Sequence, residues 1–307
     1  MKWNIESCII FECVFGSQVY GTSTEDSDVD YRGVCIPPWE IRNSLLTNFE
    51  QQDGWEGKFE DRTIYNLKKF LVLCKDANPA IIEYLFVPER FWKTCHSPWI
   101  AILENKNLFL SKKAKYTFSG YAHAQLQKIM THRNWLLHPP KQEPIRENFG
   151  LPKNPRLTNE QISAIVSIPA DTIVPEYREE AEKEKGYRQS REHWDKYMNW
   201  KVNRNPKRAA LEEQFGYDTK HALHLVRLMR EGEELLLKGT ITFPRPEQEE
   251  LGAILRGVYS YEQLMEKVIG YDVLFEKLYE ESQLRYAPDS SGINELYLNL
   301  LKKYGGE

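Results

Sequence analysis

The sequence is poor in the features that mark secreted, membrane-bound and disulfide-rich proteins. Its 307 residues include only five cysteines, an odd number without a Cys-X-X-Cys pair, and most of them lie in apolar segments where a thiol acts as a small hydrophobic group. No apolar run approaches the roughly 20 residues that span a bilayer, and the N-terminus carries no signal-peptide pattern. These absences predict a cytoplasmic protein with no membrane contact.

An excess of positive charge is also missing. The chain has 41 Lys and Arg against 45 Asp and Glu, a formal net charge of −4, so no field over the whole molecule attracts a polyanion and any nucleic-acid contact must be local. What is present is 41% apolar and 12% aromatic residues, enough to bury a substantial core. The length predicts one large domain or two ordinary ones, and the composition excludes collagen-like and disordered chains.

Hydrophobic patterning divides the chain into a mixed α/β part and a mostly helical remainder. Residues 9–15 and 29–36 are rich in β-forming residues and alternate with helical periodicity. We therefore expect an α/β domain over residues 1–110 and a helical domain over 111–307. Prolines are dense near residues 139–175, which predicts an irregular insert there.

Local signals place several helices. Asn78 and Pro79 form an N-cap and first-turn pair. Ser260 with Gln263 predicts a capping box, which reciprocally satisfies two backbone N–H groups at a helix start. The helix that follows is expected to bury apolar residues spaced by three and four, namely Leu264, Val268, Tyr271, Phe275 and Leu278.

Residues 14–34 carry the pattern that is most informative about chemistry. An apolar strand ends at Gly16 and Ser17, where backbone N–H groups and the serine hydroxyl can face a phosphate at the start of a helix. Asp28 and Asp30 follow, and at this spacing on a strand they point to the same side while Val29 points into the core. Two neighbouring carboxylates repel each other, and a shared divalent cation such as Mg²⁺ relieves that repulsion.

A two-metal centre for nucleotidyl transfer normally needs a third carboxylate on a neighbouring strand. One ion then holds the triphosphate, and the other lowers the pKa of the attacking hydroxyl. The next β-like run with acids covers residues 58–65, and Asp61 is predicted as the third ligand. Glu60 is the alternative, since a one-residue change of register exchanges the two. We expect two Mg²⁺ ions, with Mn²⁺ as a substitute.

These motifs resemble the signature of the DNA polymerase β-like nucleotidyltransferase superfamily. The residues that carry the resemblance are Gly16-Ser17, Tyr20-Gly21 and Ser27-Asp28-Val29-Asp30. Further segments resemble the branch described as predicted nucleotidyltransferases of an RNA-repair pathway: Asp61 with Leu67-Lys68-Lys69-Phe70, Asn78-Pro79 with Glu83, Arg204-Asn205-Pro206 with Arg208 and Glu212, and residues 216–222 with His224 and Arg227.

The resemblance implies a palm-like mixed sheet with flanking helices, followed by a mostly α-helical domain. It also implies that Gly16 and Ser17 bind the triphosphate, and that the three aspartates bind metal. Active-site roles are further implied for a face that carries Lys220, His224 and Arg227 beside His221. The alternative for this face is that Arg227 pairs with Glu231 and that the histidines only pack.

Two groups of residues have less specific signals. Tyr20 is expected in the nucleotide pocket, with packing against the strand as the alternative. The acid-free segment 196–208 combines aromatic residues with cations, a composition typical of RNA-binding surfaces. The cations expected to hold RNA are Lys201, Arg204, Lys207 and Arg208. The alternatives are a solvated basic helix whose tryptophans face the core, or contacts of Arg204 and Arg208 with the triphosphate.

The sequence thus predicts an enzyme with its active site in the cleft between two domains. It is expected to move a nucleoside monophosphate from a nucleoside triphosphate, with ATP as the expected donor, to an acceptor hydroxyl. The favoured acceptor is an RNA 3′ end, including that of a damaged tRNA. The alternatives are a protein AMP-transferase acting as a toxin, antitoxin or regulator, and a nucleotide-binding module without turnover.

Overall fold

A computed structural model of the chain describes residues 3–25, 27–54, 61–169 and 172–305. The chain divides into two compact units. The first unit joins two separate parts of the sequence, Met1–Lys128 and Thr219–Glu307, and the second unit is Ile129–Asp218. None of the helices in the described ranges contains a stretch that could serve as a membrane span.

The first unit contains the mixed sheet that the sequence predicts. Within the described residues its strands are β1 (Ile9–Phe15), β2 (Asp30–Cys35), β3 (Gln51–Asp53), β4 (Arg62–Asn66) and β5 (Trp92–Cys95). They are ordered β3-β4-β2-β1-β5, with β2 and β4 parallel and the other neighbouring pairs antiparallel. Both strands that start next to the predicted acids, β2 and β4, therefore begin at the same edge of the sheet.

Helices pack against this sheet and extend the first unit. In its N-terminal part they are α1 (Ser17–Tyr20), α2 (Trp39–Arg42), α3 (Leu67–Lys75), α4 (Pro79–Ile82), α5 (Ser97–Glu104) and α6 (Ala114–Leu137), of which the last continues into the second unit. A 3₁₀ helix, Glu83–Phe86, follows α4. The C-terminal part adds α10 (Thr219–Lys238), α11 (Gln248–Leu255), α12 (Tyr261–Val268), α13 (Tyr271–Glu281) and α14 (Ser290–Tyr304).

An aromatic core joins the sheet to its helices. Phe11 of β1 stacks on Trp99 of α5 with ring centres 3.9 Å apart, and neither side chain is exposed. Phe70 of α3 lies 5.4 Å from Trp99 and 5.6 Å from Tyr84. The buried residues of α3 are spaced by three and four, as on one face of a helix, and are Leu67, Phe70, Leu71 and Cys74. Burial of such large rings dominates the stability of this part of the fold.

The second unit is helical. Besides the end of α6 it contains α7 (Asn159–Ser167), α8 (Pro175–Asn203) and α9 (Pro206–Phe215). The proline-rich segment is less irregular than expected, because Thr158 and Gln161 form a capping box that starts α7. Rings of Trp135, Tyr197 and Trp200 pack 5.3 to 6.0 Å apart and make the aromatic core of this unit.

The predicted helix after Ser260 is present but interrupted. Ser260 and Gln263 form the expected capping box at the start of α12. The helix ends at Val268, and α13 begins only at Tyr271. Gly270 between them has φ 101°, a conformation outside the helical region. The apolar spacing continued through this break, so periodicity alone could not show it.

Candidate active site

The turn at Gly16 and Ser17 begins the site. Strand β1 ends at Phe15, and α1 starts at Ser17. Gly16 has φ 66° and ψ −141°, a region that only glycine adopts readily. A Cβ at this position would lie 2.0 Å from Oδ2 of Asp30. The backbone of the turn therefore lies directly against one of the predicted metal-binding carboxylates.

The three predicted acids lie at the starts of neighbouring strands. Asp30 is the first residue of β2 and pairs with Phe15 at the end of β1. Asp61 directly precedes β4, and its carbonyl accepts a hydrogen bond of 3.0 Å from the amide of Tyr31. In the parallel register Tyr31 is opposite Arg62, so Asp30 and Asp61 occupy equivalent positions on adjacent strands. Glu60, the alternative to Asp61, lies outside the described residues.

The charges of neighbouring side chains, the other two acids included, act on Asp30. Partial burial raises the pKa of Asp30, the charge of Arg32 lowers it, Asp61 raises it, Lys220 lowers it, and Asp28 raises it. All three acids are described, but their carboxylate oxygens do not all lie within 4.8 Å of one another. They form an electrostatic cluster at one sheet edge rather than a closed set of ligands.

The position of Asp28 differs from the prediction. The strand starts at Asp30, so Asp28 lies in the segment before it, and strand alternation does not govern its direction. Val29 was predicted to point into the core, but it is 42% exposed. The reason is that β1 ends at Phe15, opposite Asp30, and leaves no strand partner for the residues before Asp30.

Arg32 is the cation nearest to this cluster among the described ion pairs. Its Nη2 lies 3.5 Å from Oδ1 of Asp30, and its Nη1 donates to the carbonyl oxygens of Tyr31 and Asp61 at 2.9 and 2.5 Å. The long distance to Asp30 marks a loose ion pair, since charge-assisted hydrogen bonds are about 2.7–2.9 Å. Arg32 therefore offsets part of the negative charge while its own hydrogen bonds go to the backbone.

The predicted phosphate-binding face of α10 is divided between two environments. Lys220 is exposed, and its positive charge lowers the pKa of Asp30. Nδ1 of His221 lies 2.8 Å from Oε1 of Gln125, a contact on α6 that no sequence pattern signals. His224, one turn after Lys220, is half-buried. The charge of Lys220 thus lowers the pKa of Asp30, while the nucleotide roles of Lys220, His221 and His224 stay predictions.

Tyr20 and Arg227 are buried, with 6% exposure each. The guanidinium of Arg227 donates to Glu83 at 2.6 Å and to Glu231 at 2.9 and 3.0 Å. The Tyr20 hydroxyl donates to Glu83 at 2.7 Å. These contacts favour the structural alternative for both residues, including the pairing of Arg227 with Glu231 one helical turn later. Their direct contact with a nucleotide stays a prediction.

The predicted RNA-binding cations lie in the second unit. Lys201 and Lys207 are exposed. Arg204 pairs with Glu213 at 2.8 Å and with Glu212 at 3.3 Å. Arg208 lies 3.9 Å from Asp218, also in this unit. The tryptophan and tyrosine rings of this segment pack together, which favours the alternative of a solvated basic helix. Lys201 and Lys207 are the exposed cations of the predicted set, and their contact with RNA stays a prediction.

Comparison with known proteins agrees with these motifs. Residues 1–137 match a family model described as RNA repair pathway DNA polymerase beta family. The chain is also 28% identical, over 128 residues, to an uncharacterized 38.9 kDa protein in the nrdC-mobD intergenic region of Enterobacteria phage T4. That alignment covers 39% of this chain and 38% of the phage protein, so it spans well under half of either. No solved structure matches the chain.

Proposed function

From the match of residues 1–137 to the RNA repair pathway DNA polymerase beta family, we propose that this protein is a metal-dependent nucleotidyltransferase. It transfers a nucleoside monophosphate from a nucleoside triphosphate, with ATP as the proposed donor, to an acceptor hydroxyl. The bond that forms joins the acceptor oxygen to the α-phosphorus. The acceptor hydroxyl gives up its proton to solvent, the bond from the α-phosphorus to the oxygen that bridges it to the β-phosphorus breaks, and pyrophosphate leaves.

The observation that carries this proposal is the contact of the Gly16 turn with Asp30, inside a cluster that includes Asp28 and Asp61. Carboxylate oxygens are the ligands that Mg²⁺ prefers. The charges of Asp61 and Asp28 raise the pKa of Asp30, and a bound cation would relieve this repulsion. Asp28, Asp30 and Asp61 would hold the ions. Bound Mg²⁺ supplies charge neutralisation at the phosphates and a lower pKa for the acceptor hydroxyl.

The chain's own groups orient the donor. The amides after Gly16 begin α1, and a helix start is favourable for phosphate oxygens. Ser17 adds a hydroxyl at the same point. Lys220, whose charge lowers the pKa of Asp30, supplies positive charge that stabilises the leaving pyrophosphate. The lack of a side chain at Gly16 keeps the phosphates and Asp30 close together.

The acceptor that we favour is an RNA 3′ end, because the matched family belongs to an RNA repair pathway. Lys201 and Lys207 are the exposed cations proposed to contact the RNA backbone. Contacts of this kind hold the RNA backbone in place through its phosphates. They do not distinguish one base from another, so we expect them to bind RNA without sequence preference.

The test is to incubate the purified protein with Mg²⁺, α-labelled ATP and either total tRNA or cell lysate. We expect label in RNA, and no label with Asp30→Asn or Asp61→Asn. Asp272→Asn, which removes an exposed acid on α13, is the matched control and should retain activity. Label in protein would replace the RNA acceptor by a protein hydroxyl. Label in neither fraction, with ATP still bound, would reduce the protein to a nucleotide-binding module.

A further inference from the structure

A buried network of charged side chains in the first unit adjoins the Gly16 turn. Its members are no more than 7% exposed. They are Tyr20, Glu83, Arg227, Glu231, Glu234 and Arg245. Buried charges are costly unless they are paired, so a cluster of this kind indicates a specific arrangement that the fold maintains.

Glu83 joins the network to α1. Its Oε1 accepts from Arg227 at 2.6 Å, and its Oε2 accepts from the Tyr20 hydroxyl at 2.7 Å. The guanidinium carbon of Arg227 lies 4.1 Å from the centre of the Tyr20 ring, a cation–π distance. Glu83 thus binds the Tyr20 hydroxyl and Arg227 packs over the Tyr20 ring, while Glu83 and Arg227 are themselves paired.

The backbone at the end of α1 is held from a second direction. The amide of Arg245 donates to the carbonyl of Tyr20 at 3.1 Å. Gly21, next in the chain, packs so closely that a Cβ there would lie 2.3 Å from Oε1 of Gln248 and 2.9 Å from Cβ of Pro244. The guanidinium of Arg245 is bonded in turn to Glu234 at 2.8 Å.

These contacts matter because α1 is a single turn of four residues. So short a helix is not stable by its own hydrogen bonds, and its position must come from tertiary contacts. The amides of Val19 and Tyr20 both donate to the carbonyl of Gly16 at 3.1 Å. A shift of Tyr20 is therefore transmitted directly to Gly16, the residue that lies against Asp30.

We propose that Glu83 is a positioning residue: by holding Tyr20 and Arg227 together it fixes α1, and with it the backbone of Gly16 and Ser17 beside the acids. The role in nucleotide binding rests on the proposed function, whereas the effect on α1 does not. The partners of α1 in this arrangement include Arg227, Arg245 and Gln248, which lie outside the matched residues 1–137.

The test compares Tyr20→Phe with Tyr84→Phe. The first change removes the hydroxyl that Glu83 holds and keeps the ring under Arg227. The second removes a hydroxyl from the buried tyrosine next to Glu83, whose ring packs on Phe15 and Phe70. The readouts are hydrogen–deuterium exchange at the Val19 and Tyr20 amides without nucleotide, and the dissociation constant for Mg²⁺ and ATP.

For Tyr20→Phe we expect exchange at these amides to rise about 10- to 100-fold, the factor that corresponds to losing a hydrogen bond to a charged group. The dissociation constant for ATP should rise in parallel, and KM should change more than kcat. Glu83→Gln retains an acceptor for Tyr20 and should lie between wild type and Glu83→Ala. Tyr84→Phe should change neither readout.

Unchanged exchange in Tyr20→Phe, or an equal increase in Tyr84→Phe, would overturn the inference. Failure of the proposed function is distinguishable from this outcome. If the wild-type protein does not bind ATP with Mg²⁺, the proposed function fails, while the exchange rates at α1 still decide whether Glu83 positions the turn.

Discussion

Replacing Gly16 by alanine is the most direct perturbation of the proposed site. The backbone at φ 66° and ψ −141° strains any residue with a Cβ, at a cost of about 1–3 kcal/mol. The added Cβ would lie 2.0 Å from Oδ2 of Asp30. Because non-bonded atoms are at their best separation near 3.5 Å, the carboxylate must move by about 1.5 Å.

A displacement of this size predicts a larger loss of activity than of stability. A misplacement of about 1 Å costs roughly 100-fold in rate, so we expect Gly16→Ala to lose about two orders of magnitude in kcat/KM for ATP. Urea unfolding should show a loss of about 1–3 kcal/mol from backbone strain. Both measurements are made on the same preparation, so that activity is referred to folded protein.

Gly150→Ala is the matched control. Gly150 also has φ 66°, but nothing lies within 4 Å of a Cβ placed there. We expect this variant to lose about 1–2 kcal/mol of stability from the left-handed backbone, with kcat/KM unchanged. The reasoning fails if Gly16→Ala retains wild-type activity, or if Gly150→Ala loses activity to the same extent.

Three further predictions concern other parts of the molecule. Burial raises the pKa of Glu231, so wild-type stability should fall, by at most about 1.4 kcal/mol per pH unit, as the pH rises above the ordinary glutamate value. Glu231→Gln has no carboxyl to ionise, so the melting temperature of the wild type should fall relative to that of Glu231→Gln as the pH rises from about 5 to 7. A difference between the two melting temperatures that does not change with pH would contradict the assignment. Lys201→Ala with Lys207→Ala should reduce the salt dependence of RNA binding by about one unit of slope per lysine, with ATP affinity unchanged. Equal loss of both affinities would place the lysines at the nucleotide instead. Gly232→Ala puts a Cβ 2.7 Å from the Phe275 ring. Overpacking of about 1–3 kcal/mol exceeds the gain in helix propensity of about 1 kcal/mol, so urea unfolding should show a net loss of up to about 2 kcal/mol, and increased stability would refute this.

Elements fixed by local chemistry were predicted well. The strand before Gly16 occupies residues 9–15 as expected. Asn78 caps α4, with Pro79 in the first turn. Ser260 and Gln263 form their capping box. Such features depend on residues within a few positions of each other, so the sequence contains all the information they need.

Predictions failed where a partner strand or a break in the helical backbone decided the outcome. Val29 is exposed because β1, the strand paired with β2, ends at Phe15 opposite Asp30. The alternation of apolar and polar residues does not show where the partner strand ends. The helix after Ser260 breaks at Gly270 although the apolar spacing runs on. The glycine itself was a signal, since its φ of 101° follows an extended residue, Ile269, and favours a residue without a Cβ.

By itself the sequence determined the chemical groups of this protein: the glycine turn, the acids after it, the cations of α10 and the strands and caps that carry them. The tertiary structure decided which groups meet. Tyr20 and Glu83 are 63 residues apart and Glu83 and Arg227 are 144 apart, yet all three join in one buried network. Pairings over such distances follow from packing of the whole unit, in which burial makes unpaired charge too costly to tolerate, and no local pattern encodes them.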